Sequence, residues 1–140
     1  MRKDYRVRRP LEYDALMNFL KDEGLFDSLK SVLVFAAAVG AREGQSTEFS
    51  GSGEKIALRI FSEAHDIPFM HALALAKTGD VSMLSDDKME EVLTIFENTA
   101  AGGLSYLDDV IDRTNAKAAL EQLVSINHES SLIDDLTNLW

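Results

Sequence analysis

The sequence predicts an all-α fold: a compact single-domain bundle of seven or eight short helices around a central apolar helix at about residues 28–41, with a short extended N-terminal arm. Three observations predict it. Apolar residues recur at helical spacing along most of the chain, only two prolines interrupt it, and residues 31–44 are apolar on every side. Val32, Leu33, Val34 and Phe35 are consecutive, so a helix there keeps all four from water only if it is packed on several sides. A buried strand over the same four residues is the alternative. Ala36, Ala37 and Ala38 favour the helix, because alanine is the best helix former and a poor strand former.

Residues 1–10 form the arm. Tyr5 to Arg9 alternate in the manner of a strand, and Pro10 sets φ for a helix start while disfavouring helix at Arg9. A first amphipathic helix, from Leu11 to about Glu23, carries Tyr13, Leu16, Met17 and Leu20 and stops at Gly24. Asp27 or Ser28 caps the central helix. Residues 45–53, rich in Ser and Gly, read as a flexible loop. A third helix is expected from Ile56 to about Ala64, and a fourth from Pro68 to Lys77, between an Asp66 cap and Gly79.

Ser85, Asp86 and Asp87 open the clearest helix, with Met89, Val92, Leu93, Phe96 and Ala100 on one face and Gly102-Gly103 as its stop. Leu104, Leu107 and Ile111 continue a helical face to Arg113. Thr114 or Asn115 then caps a segment with Leu120, Leu123 and Val124, and a last amphipathic turn or two holds Leu132, Ile133, Leu136, Leu139 and Trp140. With no repeat and no linker, residues 1–140 read as a single domain.

A chain of this size buries roughly 68% of its unfolded surface, enough for a core. Apolar residues make up 46% and charged ones 27%, which excludes a disordered protein. The lack of cysteine excludes disulfides, thiolate catalysis, zinc ribbons and iron–sulfur ligation, and points to a reducing, cytoplasmic compartment. Charges at the N-terminus stand where a signal peptide needs its apolar region. The longest fully apolar run, residues 32–39, is too short for a membrane span, which needs about 20 residues.

The net charge of −10 is unevenly placed: residues 1–79 hold eleven acids and eleven bases, and residues 80–140 hold thirteen acids against Lys88, Arg113 and Lys117. The first ten residues carry five bases and one acid. Such a molecule can meet nucleic acid only through its basic tip.

Candidate chemistry is sparse. His65, His71 and His128 lack metal-ligand spacing, and His65 with Glu63 and Asp66 could bind a metal only if His71 folded back. Gly51-Ser-Gly-Glu-Lys55 lacks the frame of a phosphate loop and has Ile56 where the magnesium-binding hydroxyl belongs. Asp108, Asp109 and Asp112 fall within one helical turn, where paired carboxylates can serve acid–base or two-metal chemistry, but a solvated face is the expectation there and at Asp134-Asp135. No catalytic residue, cofactor or metal is expected.

The contact candidates are Arg6, Arg8 and Arg9 in the arm and Arg42 at the end of the central helix. An extended basic segment followed by two helices is the order of a dimeric ribbon-helix-helix repressor, whose paired strands enter the major groove. The alternative is that Arg6, Arg8 and Arg9 form ion pairs with the acidic C-terminal half of the same chain or of a partner.

Three stretches occur together in a telling order: Arg6-Val-Arg-Arg; Val34-Phe-Ala-Ala-Ala-Val-Gly-Ala-Arg-Glu-Gly44; and Ala72-Leu-Ala-Leu-Ala-Lys-Thr-Gly-Asp80 followed by Ile95-Phe-Glu-Asn-Thr-Ala-Ala-Gly-Gly-Leu104. On these the chain resembles the Dnd-system-associated proteins, DNA phosphorothioation-associated protein 4, over roughly residues 5–107. After Leu107 the tail is longer and more acidic than the resemblance leads one to expect.

The resemblance implies a bacterial accessory to a system that replaces a non-bridging phosphate oxygen of DNA with sulfur and can restrict unmodified DNA as anti-phage defence. It brings no catalytic residues. Sulfur insertion needs cysteine desulfurase and iron–sulfur chemistry, which a chain without cysteine cannot perform. The expected role is therefore a non-enzymatic adaptor or regulator that contacts protein subunits of the system. The alternative is a dimeric DNA-binding regulator that uses the arm for weak DNA contact, and a metal-dependent hydrolase or nuclease using Asp108 and Asp112 stands behind both.

Overall fold

A computed structural model describes residues 4–124. These residues divide into two compact units, parted between residues 108 and 109. The first holds strand β1 (Arg6–Val7), helices α1 (Asp14–Asp22) and α2 (Leu29–Glu43), strand β2 (Ile56–Ala57) and helix α3 (Asp66–Thr78). It also holds most of helix α4 (Met89–Val110), while residues 116–124, in the second unit, are helical again. Short 3-10 turns fill the connections at Leu11–Tyr13, Leu58–Ile60, Val81–Leu84 and Asp86–Lys88. The fold is mostly helical, as expected. The expected amphipathic turn at 132–140 lies outside the described residues.

α2 begins where Ser28, in extended backbone, accepts a hydrogen bond from the Ser31 amide. It ends at Gly44, whose φ of 65° lets the Gln45 amide reach back to the Gly40 carbonyl at 2.8 Å. Val32, Leu33, Ala36, Ala37, Val39 and Gly40 are buried and form one stripe. Ala38 is exposed, while Val34 and Phe35 are half-buried. The helix is thus not packed on all sides: Phe26, from the α1–α2 connection, covers Phe35 with ring centroids 5.2 Å apart. Twelve residues of α4 and six of α2 are buried, so α2 is not the sole centre of the core.

The two helices meet at small residues. A Cβ on Gly103 would overlap the Ala36 carbonyl oxygen, and one on Gly40 would overlap the Thr99 carbonyl oxygen. The backbones therefore touch, which only glycine permits. This explains why α4 runs through Gly102-Gly103, where the sequence suggests a stop. Each mid-helix glycine costs about 1 kcal/mol relative to alanine, and the close crossing offsets that cost by bringing α2 into contact with α4.

The helix expected over Ile56–Ala64 is instead β2 followed by the 3-10 turn Leu58–Ile60. β2 pairs antiparallel with β1, with Arg6 opposite Ala57 and Val7 opposite Ile56. Phe61 then turns inward and meets Phe96 of α4 edge-on at 5.9 Å. Asp66, in the first turn of α3, pairs with Lys30 of α2 and accepts the Ser62 amide at 2.7 Å. Burial pushes its carboxyl up, but the bonds from Lys30 and Ser62 outweigh that and hold it below its ordinary value.

Candidate functional site

The four arginines singled out in the sequence have different surroundings. Arg9 is 6% exposed. Its Nε donates to the Glu54 carbonyl at 2.7 Å and its Nη1 to Asp14 Oδ1 at 2.7 Å. Gly53 makes room for the guanidinium, since a Cβ there would lie 2.9 Å from an Arg9 terminal nitrogen. The Arg9 amide donates to Ser52 Oγ at 3.1 Å, and the Gly53 amide donates to the Arg9 carbonyl at 3.0 Å. A charged side chain is thus enclosed with its Nε and Nη1 bonded and its charge paired with Asp14, as burial requires.

Arg8 reaches α4. Its amide donates to Glu97 Oε2 at 2.6 Å and its Nε to Oε1 at 3.0 Å, so both carboxylate oxygens are used. The Glu97 side chain is 5% exposed and that of Arg8 31%. Nη1 of Arg8 donates to the Phe49 carbonyl at 3.3 Å, and the guanidinium lies over the Phe49 ring at 4.5 Å. Glu97 belongs to the acidic half of the chain, 89 positions from Arg8. Sequence reasoning missed it, because a glutamate among apolar helix residues carries no local sign of its partner.

The polar segment 45–53 is fastened on both sides. The Thr47 amide donates to the Asn98 carbonyl of α4 at 2.9 Å, and Gly51 accepts the Leu11 amide at 3.0 Å. Gly102 has no room for a Cβ because the backbone of Gln45 and Ser46 presses on it. Arm, segment 45–53 and α4 therefore form one polar seam, with Arg8 and Arg9 inside it.

Arg6 faces solvent, and Arg42 lies on the helix surface with its side chain 32% exposed. The Arg6 side chain is 60% exposed, with Asp4 at 4.0 Å, and β1 takes its strand partner from its own chain. Arg42 pairs with its neighbour Glu43 at 2.7 Å. Lys55 and Arg59 are exposed beside β2.

His71 is buried, and its Nδ1 lies 2.7 Å from the Met83 carbonyl, whereas His65 is exposed. His128 and Asp134-Asp135 lie outside the described residues. Asp108, Asp109 and Asp112 are exposed. Asp112 accepts the Thr114 hydroxyl at 2.7 Å and the Thr114 amide at 2.9 Å, which holds its carboxyl below its ordinary value. Among the described residues no group of three or more His, Cys, Asp or Glu side chains could hold a metal ion, and no helix is long and apolar enough to cross a membrane.

The family described as DNA sulphur modification system-associated protein 4 matches residues 6–135. The chain belongs to this family. The match runs well beyond Leu107, so the acidic C-terminal part, which seemed to depart from the resemblance, falls within the family's span. No curated protein and no solved structure matches the chain. The family's description associates its members with a DNA sulphur modification system and gives them no reaction.

Proposed function

We propose that the chain is a non-catalytic accessory, an adaptor or regulator, of a bacterial DNA sulphur modification and restriction system in the cytoplasm, and that it acts by contacting the system's protein subunits. Family membership over residues 6–135 is the observation that carries this reading. The distribution of charge supports it: two of the arginines best placed to grip a phosphate backbone, Arg8 and Arg9, are spent on Glu97 and Asp14, and the net charge of −10 repels DNA at long range. Co-purification from the native host tests it. Recovery of subunits of the modification or restriction machinery is expected, and recovery of none would overturn it.

A second reading, weak DNA contact, is favoured by the exposed cations Arg6, Lys55 and Arg59 around the β1–β2 ribbon; because β1 pairs with β2 of its own chain, it does not take the form of strands paired between two copies. Retention on DNA would then fall with salt and disappear in an Arg6→Ala/Lys55→Ala variant.

A further inference from the structure

We infer that the turn between α3 and α4 is a docking surface for a basic protein segment bearing apolar side chains; this rests on the adaptor reading above and names the surface that would serve it. Val81 and Leu84 are 70% and 51% exposed, the first being the most exposed large apolar side chain among the described residues. They stand three apart in a 3-10 turn, Val81–Leu84. Such a helix has three residues per turn, so the two side chains eclipse and form one ridge.

The ridge is held in place. Met83, between the two, is 3% exposed and anchors the turn in the core, and its carbonyl is bound by His71 of α3. Asp80 caps the turn by accepting the Ser82 amide at 2.9 Å, and Ser85 accepts the Asp87 amide at 3.2 Å at its far end. Scattered surface leucines need no explanation, but an aligned pair on a turn fixed at three points is presented to something.

Charge selects the occupant. Residues 77–91 hold five acids, Asp80, Asp86, Asp87, Glu90 and Glu91, and two bases, Lys77 and Lys88, for a net charge of −3. Lys88 lies 3.6 Å from Glu91. An apolar ridge within so acidic a stretch repels nucleic acid and anionic lipid, and brings acidic segments together if two copies meet here by a two-fold axis. Residues 125–140 of the chain itself carry Glu129, Asp134 and Asp135 with no lysine or arginine, so they suffer the same repulsion. A lysine- or arginine-rich segment with apolar side chains fits both features.

The test is amide chemical-shift mapping on the full chain with a short peptide of alternating lysine and leucine. Shifts confined to residues 79–91 are expected. Binding should weaken with added salt, fall about tenfold or more in Val81→Ser/Leu84→Ser, and survive Ile60→Ser, a control at another exposed apolar position. Shifts elsewhere, or equal binding by the double variant with its fold intact, overturn the surface. So does self-association that the double variant abolishes, which would assign the ridge to a second copy. Purified subunits of the modification system separate the two claims. A subunit that binds parent and double variant alike leaves the adaptor reading standing and removes this surface, whereas binding by no subunit removes the adaptor reading while the peptide still decides the surface's chemistry.

Discussion

Where α2 crosses α4, no side chain stands between the helices; within two turns of that point on α4, Glu97 is held by a charged side chain from the beginning of the chain. The crossing at Ala36, Gly40, Thr99 and Gly103 is steric contact between backbones. It has no charge to screen and no proton to lose, and it fails if one carbon is added. The Arg8–Glu97 pair is electrostatic, with one partner buried and the other a third exposed. Its vulnerability is different: removing either group leaves the other to find a new partner or water. One helix is thus fixed by a contact that admits no variation in size and by another that admits none in charge.

The largest effect should come from breaking the crossing. Gly103→Val places side-chain atoms where the Ala36 carbonyl oxygen stands, and because backbone cannot swing aside the loss should exceed about 3 kcal/mol. Urea unfolding measures it. The loss should be the same in low and high salt, and a near-neutral result would mean that the helices are further apart. Arg8→Ala should cost somewhat less, about 3 kcal/mol, because it leaves a carboxylate that is 5% exposed without its counter-charge, held only by the backbone amide of residue 8. Adding Glu97→Gln to that variant should restore part of the loss by removing the stranded charge. If the double variant is worse by the sum of the two single ones, the pair is not coupled.

The same contrast explains which elements were legible in the sequence. Ser28 as a cap, Gly79 as a helix end, and the apolar stripes of α1 and α4 depend on residues within a turn or two of one another, and local rules reach them. Gly102-Gly103 could not be told from a stop, because their use depends on α2, some sixty positions upstream. Ile56-Ala57 became a strand because Arg6 and Val7 pair with it across about fifty residues. At the candidate site the residue type was legible and its employment only in part. Ion pairing of the arm with the acidic half of the chain was one of the two readings the sequence allowed, and Arg8 follows it through Glu97; that Arg9 would turn to Asp14 and Arg6 to solvent depended on packing that carries no local mark.

A smaller effect belongs to Asp66, which joins α3 to α2 through Lys30. Asp66→Asn should cost about 1.5–3 kcal/mol at neutral pH, the value of hydrogen bonds to a charged group. The sign of its pH dependence follows from the lowered carboxyl. A depressed folded pKa gives stability that is present above the unfolded value of 3.8 and is lost as pH falls through the folded value. Below about pH 4 the difference between parent and variant should therefore shrink, and chemical denaturation at neutral and acid pH checks it. A constant difference would mean that Asp66 contributes by packing and not by charge.

Smallest of all should be the effect of the surface arginines, and it separates the two kinds most cleanly. Arg6 has one acidic neighbour at 4.0 Å, with both side chains more than half exposed, and Arg42 pairs with the adjacent Glu43 on the helix surface. Exposed pairs of this kind contribute little, so Arg6→Ala and Arg42→Ala should each stay within about 0.5 kcal/mol of the parent in denaturant unfolding. Because the fold is indifferent to them, any change they cause in DNA retention or subunit binding reports on contact and not on stability. Arg8→Ala and Arg9→Ala cannot serve that purpose, since loss of a buried partner would weaken the seam itself. A destabilisation by Arg6→Ala as large as that by Arg8→Ala would place Arg6 inside the seam and erase the distinction between arginines that hold the fold together and arginines available to a partner.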